Sequence, residues 1–181
     1  YRMKNDRCIL LPIPGQVNSS TRSEAHGLLA GICTRGPTHL GIDNKAVVDR
    51  ACYLLSLADN LCNLRDDEQQ MRNKPGFAFE VARLLRKPEK KHWQMQSDGD
   101  VWAAIWSAMI AKGPLSIKVA KVKGHATLED VEEGKATAAQ KSGNDVADGL
   151  VPEATALRGK GTVDLAYWLE ARHREYVARM N

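Results

Sequence analysis

The chain has 181 residues, of which 43% are apolar and 27% charged, and its formal net charge is +4. This composition is typical of a globular protein with enough apolar residues for one sizeable core. No run of about 18 uncharged apolar residues occurs, and the apolar segment near the start is too short for a signal peptide, which argues against membrane and secretory classes. The small net charge indicates nucleic-acid binding only if it is concentrated on one surface.

Four cysteines lie among apolar residues with no CxxC spacing: Cys8, Cys33, Cys52 and Cys62. This pattern predicts buried, reduced thiols rather than disulfides or a zinc site. Reduced thiols indicate an intracellular compartment, either the nucleus or the cytoplasm. The chain begins with Tyr1 rather than Met, so we expect it to be a piece of a longer product.

The first part of the chain predicts a strand, a helix and a second strand. Residues 7–14 are mostly apolar and interrupted by prolines, which is typical of a short strand. Residues 21–24 have the Thr-x-x-Glu form of a capping box, and apolar residues at helical spacing follow until Gly36. The second strand is predicted at residues 39–42.

Asp43 and Asn44 follow that strand, and either residue can cap the long amphipathic helix that comes next. Further helices are predicted at residues 77–85 and directly after Ser97-Asp98-Gly99-Asp100, which supplies capping residues. Between these helices lies the basic segment, residues 83–93, which is the densest group of positive charges in the chain.

The last part of the chain begins with an alternating apolar strand that breaks at Gly124-His125, leaving a histidine on a turn at a strand end. The segments that follow are predicted to be a charged loop at residues 128–142, a helix starting at Gly143, a linker at residues 152–162 and an amphipathic tail helix from Val163. This alternation of strands and helices indicates an α/β fold, in which helices pack on a sheet.

Three short motifs resemble the ribonuclease H family, and they occur in the family's order. Residues 21–25 resemble the family's helix with the catalytic Glu. Residues 41–48 resemble the strand end whose Asp precedes an apolar helix. Residues 123–126 and 144–148 resemble the family's last block, in which a Gly-His loop precedes an Asn-acidic-x-Ala-Asp helix. Together the motifs are far more specific than any one of them.

The resemblance implies a ribonuclease H-like mixed sheet flanked by helices, with the first strand or strands missing. It implies a domain at residues 1–151 that is incomplete at its N-terminus, followed by a linker and an amphipathic helix at residues 152–181. The implied activity is metal-dependent hydrolysis of the RNA strand of RNA/DNA hybrids. The implied catalytic residues are Glu24, Asp43, His125 and Asp148, of which Glu24, Asp43 and Asp148 hold two Mg²⁺ or Mn²⁺ ions through hard oxygen ligands.

The basic segment occupies the place where members of the family often carry a projection that grips the hybrid, and an exposed, solvated loop is the alternative. The residues expected to bind substrate are Asn44, Arg86, Lys87, Lys90, Lys91, Trp93 and Asn144. Recognition is expected to depend on shape and 2′-hydroxyls. The protein is expected to be monomeric or part of a larger polyprotein, and no membrane partner is expected.

One departure from the family concerns its first acidic residue, an Asp-Gly pair on the opening strand. Nothing before Glu24 fits this pattern, and Asp98-Gly99 has the right letters but is explained by helix capping. We therefore expect an upstream segment to be missing and this fragment, with three ligands, to bind metal weakly. Restoring the upstream strand would restore cleavage, and equal cleavage with and without it would refute the idea.

Each candidate residue also has a structural interpretation. Glu24 can complete a capping box, Asp43 can cap a helix and His125 can be an ordinary turn residue. Asp148 can be a solvated residue, and Asp145 competes for its role. At the level of the whole chain, the alternatives are an impaired nucleic-acid-binding domain of the same fold or another nuclease of the superfamily. The sequence also leaves open a stand-alone enzyme or the end of a mobile element's reverse transcriptase, as in a retrotransposon.

Overall fold

The computed structural model describes residues 19–66, 76–86, 88, 91–157 and 159–180. The chain divides into two compact units, the first being Gly15–Gly124 and the second comprising Tyr1–Pro14 and His125–Asn181. The division falls at Gly124, and the domain boundary predicted at residue 151 stays a prediction. The strand predicted at residues 7–14 lies outside the described residues.

The described part of the first unit has helices and strands in the predicted order. These elements are α1 (Ser20–Ile32), β1 (Thr38–Ile42), α2 (Lys45–Asp66), α3 (Phe77–Arg86), α4 (Gly99–Lys112) and β2 (Ile117–Lys121). The two strands pair in parallel, with Thr38 opposite Ile117 and Ile42 opposite Lys121. The predicted α/β class is therefore confirmed in its coarse form, and the sheet formed by the described residues has two strands.

A dense apolar core fills the first unit. Its most deeply buried side chains include Leu28 and Ile32 of α1, Val47 and Leu54 of α2, and Trp102, Ile105, Trp106 and Met109 of α4. The helices bury these residues because their apolar positions recur at the spacing of one helical face. The indole N–H of Trp106 also donates to the carbonyl of Leu85 at 2.6 Å, which ties the end of α3 to α4.

Polar contacts join α1 and α4 at both ends. Near their starts, the buried guanidinium of Arg22 lies 2.7 Å from Asp100 and 3.2 Å from Asp98. Near their ends, the ammonium of Lys112 donates to the carbonyls of Ile32 at 2.9 Å and Thr34 at 2.6 Å. The two helices therefore run parallel, and Lys112 supplies the positive charge that favours a helix C-terminus.

The second unit is helical in its described part, with α5 (Leu128–Glu132), α6 (Ala138–Gly149), α7 (Val151–Ala156) and α8 (Lys160–Met180). The predictions of a loop at residues 128–142 and a linker at residues 152–162 are wrong, because α5, the first turns of α6 and α7 occupy most of these positions. Thr127 with Asp130 and Thr137 with Gln140 form capping boxes that start α5 and α6.

Burial in the second unit is sparse. Among its described residues only Ala126, Asp130 and Ala136 are buried. The apolar side chains of α8 that are described, including Leu165, Trp168, Leu169 and Tyr176, are exposed. Within the described part of the chain, no helix combines the length and the apolar content that a bilayer-crossing segment needs.

The described cysteines are free thiols, but they are not all buried. Cys33 follows the end of α1 and Cys52 lies on α2, and both are exposed, whereas Cys62 is half-buried. The prediction of buried thiols is therefore wrong for Cys33 and Cys52, because both lie outside the apolar face of their helices. Cys8 lies outside the described residues.

Candidate active site

Asp43 is the first residue after β1, and its carboxylate is half-buried. The role of helix cap belongs to its neighbour, because the side-chain oxygen of Asn44 accepts from the backbone N–H groups of Ala46 at 3.1 Å and Val47 at 3.3 Å. The Asp43 carboxylate makes no hydrogen bond or ion pair with any residue that the structure describes. The interpretation of Asp43 as a cap is therefore wrong.

Gly124 lies directly against the Asp43 side chain. A Cβ atom at position 124 would lie 2.5 Å from Oδ2 of Asp43 and 3.3 Å from its Cβ and Cγ atoms. The chain after β2 stays paired with the end of β1, since the N–H of Val122 donates to the carbonyl of Ile42 at 2.9 Å. Only a glycine leaves space for the carboxylate in this position. The Gly-His pair is visible in the sequence, but this contact of Gly124 with Asp43 has no local sequence signal.

Glu24 lies in the second turn of α1 and not in a capping box. The N-cap of α1 is Ser19, whose side chain accepts from the N–H of Arg22 at 3.0 Å. The amide of Asn44 lies 3.4 Å from the hydroxyl of Thr21, which joins the start of α1 to the start of α2. Glu24 follows Thr21 by three residues and so shares its side of α1.

A second set of candidate residues lies in the second unit. Nδ1 of His125 is 3.1 Å from Oδ2 of Asp148, and the same oxygen accepts from the side-chain amide of Asn144 at 3.0 Å. Asp145 pairs instead with Lys141 at 2.6 Å. Of the two acids, Asp148 and not Asp145 contacts His125, and the metal-ligand role of either residue stays a prediction. The contact with Asn144 follows from the four-residue spacing on α6 and could have been predicted.

The basic segment combines an ion pair, exposed positive charges and a buried tryptophan. Arg83 pairs with Glu80 at 2.5 Å, and this guanidinium lowers the pKa of the Glu80 carboxyl. Arg86 and Lys91 are exposed, whereas Lys87 and Lys90 lie outside the described residues. Trp93 is only 9% exposed. The indole of Trp93 is therefore part of the core, and its expected contact with substrate stays a prediction.

The other Asp-Gly pair is explained by packing. Asp98 is the N-cap residue of α4, as predicted, but it has a left-handed backbone (φ 53°) and its side chain makes no capping hydrogen bond. Its carboxylate and that of Asp100 accept from Arg22, which lowers the pKa of Asp100 to about 2. A Cβ atom on Gly99 would lie 1.7 Å from the carbonyl oxygen of Trp93, so close backbone approach requires this glycine.

The oxygen donors at the candidate site suit Mg²⁺ or Mn²⁺ chemically. Among the described residues, however, no three His, Cys, Asp or Glu side chains lie close enough together to hold a metal ion. Mg²⁺ commonly keeps several waters and binds through one or two carboxylates plus substrate phosphates. The described residues therefore offer oxygen donors but no assembled three-ligand metal site.

No protein-family model, curated protein or solved structure matches the chain. A functional assignment therefore depends on the sequence motifs and on the local geometry around Asp43 and His125. That geometry supplies a carboxylate at a strand end and, in the second unit, an imidazole held by a carboxylate.

Proposed function

We propose that the chain is a metal-dependent endonuclease of the ribonuclease H type, which hydrolyses the RNA strand of RNA/DNA hybrids inside the cell. The observation that supports this most is Asp43, whose carboxylate lies at the carboxyl end of β1, beside Gly124 and without a partner among the described residues. In sheets of parallel strands, ligands bind outside the carboxyl ends. The other conventional role for Asp43, as a helix cap, belongs to Asn44.

The candidates divide into three proposed metal ligands and one proposed proton acceptor. Bound Mg²⁺ or Mn²⁺ ions supply charge stabilisation for the phosphoryl oxygens and the departing 3′ oxygen. The carboxylate oxygens of Glu24, Asp43 and Asp148 would hold the ions. As a water oxygen forms its bond to phosphorus and the bond to the 3′ oxygen breaks, His125 accepts a proton from that water through Nε2.

The direct test is metal-dependent nicking of an end-labelled RNA/DNA hybrid by the wild-type chain and by Asp43→Asn, at millimolar Mn²⁺ because the three proposed ligands are expected to hold metal weakly. We expect the substitution to reduce cleavage about 100-fold or more, equivalent to about 2.7 kcal/mol of transition-state stabilisation. The matched control is Asp49→Asn, which makes the same charge change on α2, where Asp49 is exposed and pairs with Lys45. Equal loss in both variants, or cleavage that persists in excess chelator, would contradict the proposal.

The second candidate function is a domain that binds hybrids without cutting them. It is favoured by one observation, the absence of a three-ligand cluster among the described residues. Hybrid binding in a gel-shift assay with no cleavage at millimolar Mn²⁺ would establish this alternative. Comparing a hybrid with duplex DNA and single strands would separate ribonuclease H from other nucleases of the superfamily.

The contribution of the basic segment can be measured through the salt dependence of binding. Arg86 and Lys91 are exposed and free to contact phosphates. We expect Arg86→Gln and Lys91→Gln each to reduce the slope of log affinity against log salt by about one. Arg35→Gln, which removes an exposed charge after α1, should leave the slope unchanged. Equal slopes in all three variants would make the segment an ordinary solvated surface.

A further inference from the structure

We infer that Asp148 is a positioning residue for His125, which it holds in the tautomer with the proton on Nδ1 and the lone pair on Nε2. The resemblance to ribonuclease H assigns Asp148 only to metal. The new role rests on the proposed function for its catalytic meaning, but the contact itself lies wholly in the second unit. Nδ1 of His125 is 3.1 Å from Oδ2 of Asp148, which is hydrogen-bonding distance.

The tautomer follows from the hydrogen-bonding capacity of the two groups. An ionised carboxylate can only accept hydrogen bonds, so the ring nitrogen beside Asp148 must carry the proton. In a neutral imidazole the other nitrogen then has a lone pair. Nε2 of His125 makes no hydrogen bond with any described residue, and the side chain is 83% exposed. The pair therefore presents a proton acceptor to solvent.

Asp148 is itself held by a neighbour on α6. The side-chain amide of Asn144, one helical turn earlier, donates to the same Oδ2 atom at 3.0 Å. The other carboxylate oxygen, Oδ1, has no hydrogen-bond partner within the described part of the chain. One oxygen of Asp148 thus orients the imidazole, and the other remains for water or a cation. Asn144 is assigned to this support, in addition to the substrate contact expected for it.

The backbone contributes to the orientation of His125. This residue has a left-handed conformation (φ 50°), which histidine adopts more readily than most residues, and the next residue, Ala126, is buried. The turn therefore fixes where the side chain leaves the backbone. Rotation about the side-chain bonds and the choice of tautomer remain free in an exposed histidine. The contact with Asp148 restricts both.

The test is ¹⁵N NMR of the imidazole nitrogens in the wild-type chain and in Asp148→Ala, recorded at one alkaline pH where imidazole groups are neutral. A His125→Gln sample identifies the signals. We expect the ratio of the Nδ1–H to the Nε2–H tautomer to be three- to five-fold higher in the wild type than in the variant, equivalent to about 0.6–1 kcal/mol. Unchanged ring shifts in Asp148→Ala would overturn the inference. Asp148→Asn, which keeps a weaker acceptor, should move the signals in the same direction and covers a failure of the alanine variant to fold.

The matched control is Asp145→Asn, which removes one negative charge from the same helix three residues earlier. Asp145 pairs with Lys141 and not with His125, so the His125 signals should not move. An equal shift in Asp145→Asn and Asp148→Asn would show a general charge effect and overturn the inference. The readout needs no metal and no substrate. A wild-type chain that fails to cleave hybrids would therefore contradict the proposed function without affecting this result.

Discussion

The two units differ most in how much apolar surface they bury. The first unit encloses two tryptophans, Trp102 and Trp106, that are 2% and 1% exposed, whereas Trp168 of the second unit is 55% exposed. Asp43 lies in the well-packed unit, next to a glycine with no spare space. His125 and Asp148 lie in the sparsely packed unit and are 83% and 47% exposed. Regions with few buried contacts open at low free-energy cost, so the acid at the strand end is expected to be fixed and the histidine to move.

The largest difference between the units is expected in the free energy of unfolding when one tryptophan of each unit is replaced by alanine. Trp102→Ala should lower the free energy of unfolding by about 3–5 kcal/mol, because it removes a buried indole and leaves a cavity. Trp168→Ala should cost about 0.5–1 kcal/mol, mainly through the loss of its contact with Arg172, whose Cζ atom is 5.2 Å from the ring centroid. Urea unfolding followed by far-UV circular dichroism measures both values, and similar losses would contradict the contrast in packing.

A smaller difference in stability is expected when one glycine of each unit is replaced by alanine. Gly124→Ala should force the Asp43 carboxylate into another rotamer at a cost of about 1 kcal/mol, because the new Cβ atom would lie 2.5 Å from Oδ2. Gly143→Ala in α6 of the second unit meets nothing within 4 Å and should stabilise that helix by about 0.5–1 kcal/mol. Urea unfolding gives the sign of each change.

The same Gly124→Ala variant tests the site. If Asp43 acts in cleavage, moving its carboxylate should reduce hybrid cleavage on the order of 100-fold while the chain stays folded. Gly27→Ala is the control within the first unit, since its new Cβ atom also meets nothing within 4 Å. A Gly124→Ala variant that keeps full stability and full cleavage would show that the close contact is unimportant.

The sequence predicted the elements of the first unit well because each one has a local signal. Residues 39–42 and 117–122 have strand patterns, and Gly113-Pro114 ends a helix that the structure closes at Lys112. The caps were misassigned by one or two residues, since Ser19, Thr21, Asp43 and Asn44 are all chemically able to cap. Only the fold decides between them. In the second unit, two Thr-led capping boxes were taken for loop because few apolar residues follow them.

The sequence supplied the candidate residues of the site but not the contacts between them. Asp43 stood out because it directly follows a strand, and His125 because it comes shortly after one. Side chains at strand ends commonly form binding sites at one edge of a sheet. The closeness of Gly124 to Asp43 depends on strand register, which two short strands do not specify in sequence. The burial of Trp93 against Arg50 is likewise a tertiary property, and the basic residues around it suggested an exposed segment instead.

Removing the side chain that caps a helix should cost about 1 kcal/mol of stability. The part of the chain that is destabilised should differ between the two units. Ser19→Ala removes the cap of α1, which packs in the core of the first unit, so the global free energy of unfolding should fall. Thr127→Ala removes the cap of α5, which buries little, so its effect should be confined to faster amide hydrogen exchange in Leu128–Glu132. Equal changes in the global free energy of unfolding would show that α5 unfolds together with the rest of the chain, which would contradict this prediction.

The smallest expected effect concerns ion pairs in acid. Arg22, which is 10% exposed, lowers the pKa of Asp100 from its ordinary 3.8 to about 2. Because the carboxylate is favoured in the folded state, the pair stabilises the first unit above about pH 4, and this stabilisation is lost as the pH falls toward 2. The midpoint of urea unfolding should therefore fall less between pH 5 and pH 2 in Asp100→Asn than in the wild type. Asp145→Asn, which removes an exposed pair with Lys141, should follow the wild-type curve, because solvent screens such pairs. Parallel curves for Asp100→Asn and the wild type would show that the buried guanidinium gives its carboxylates no advantage over those of the second unit.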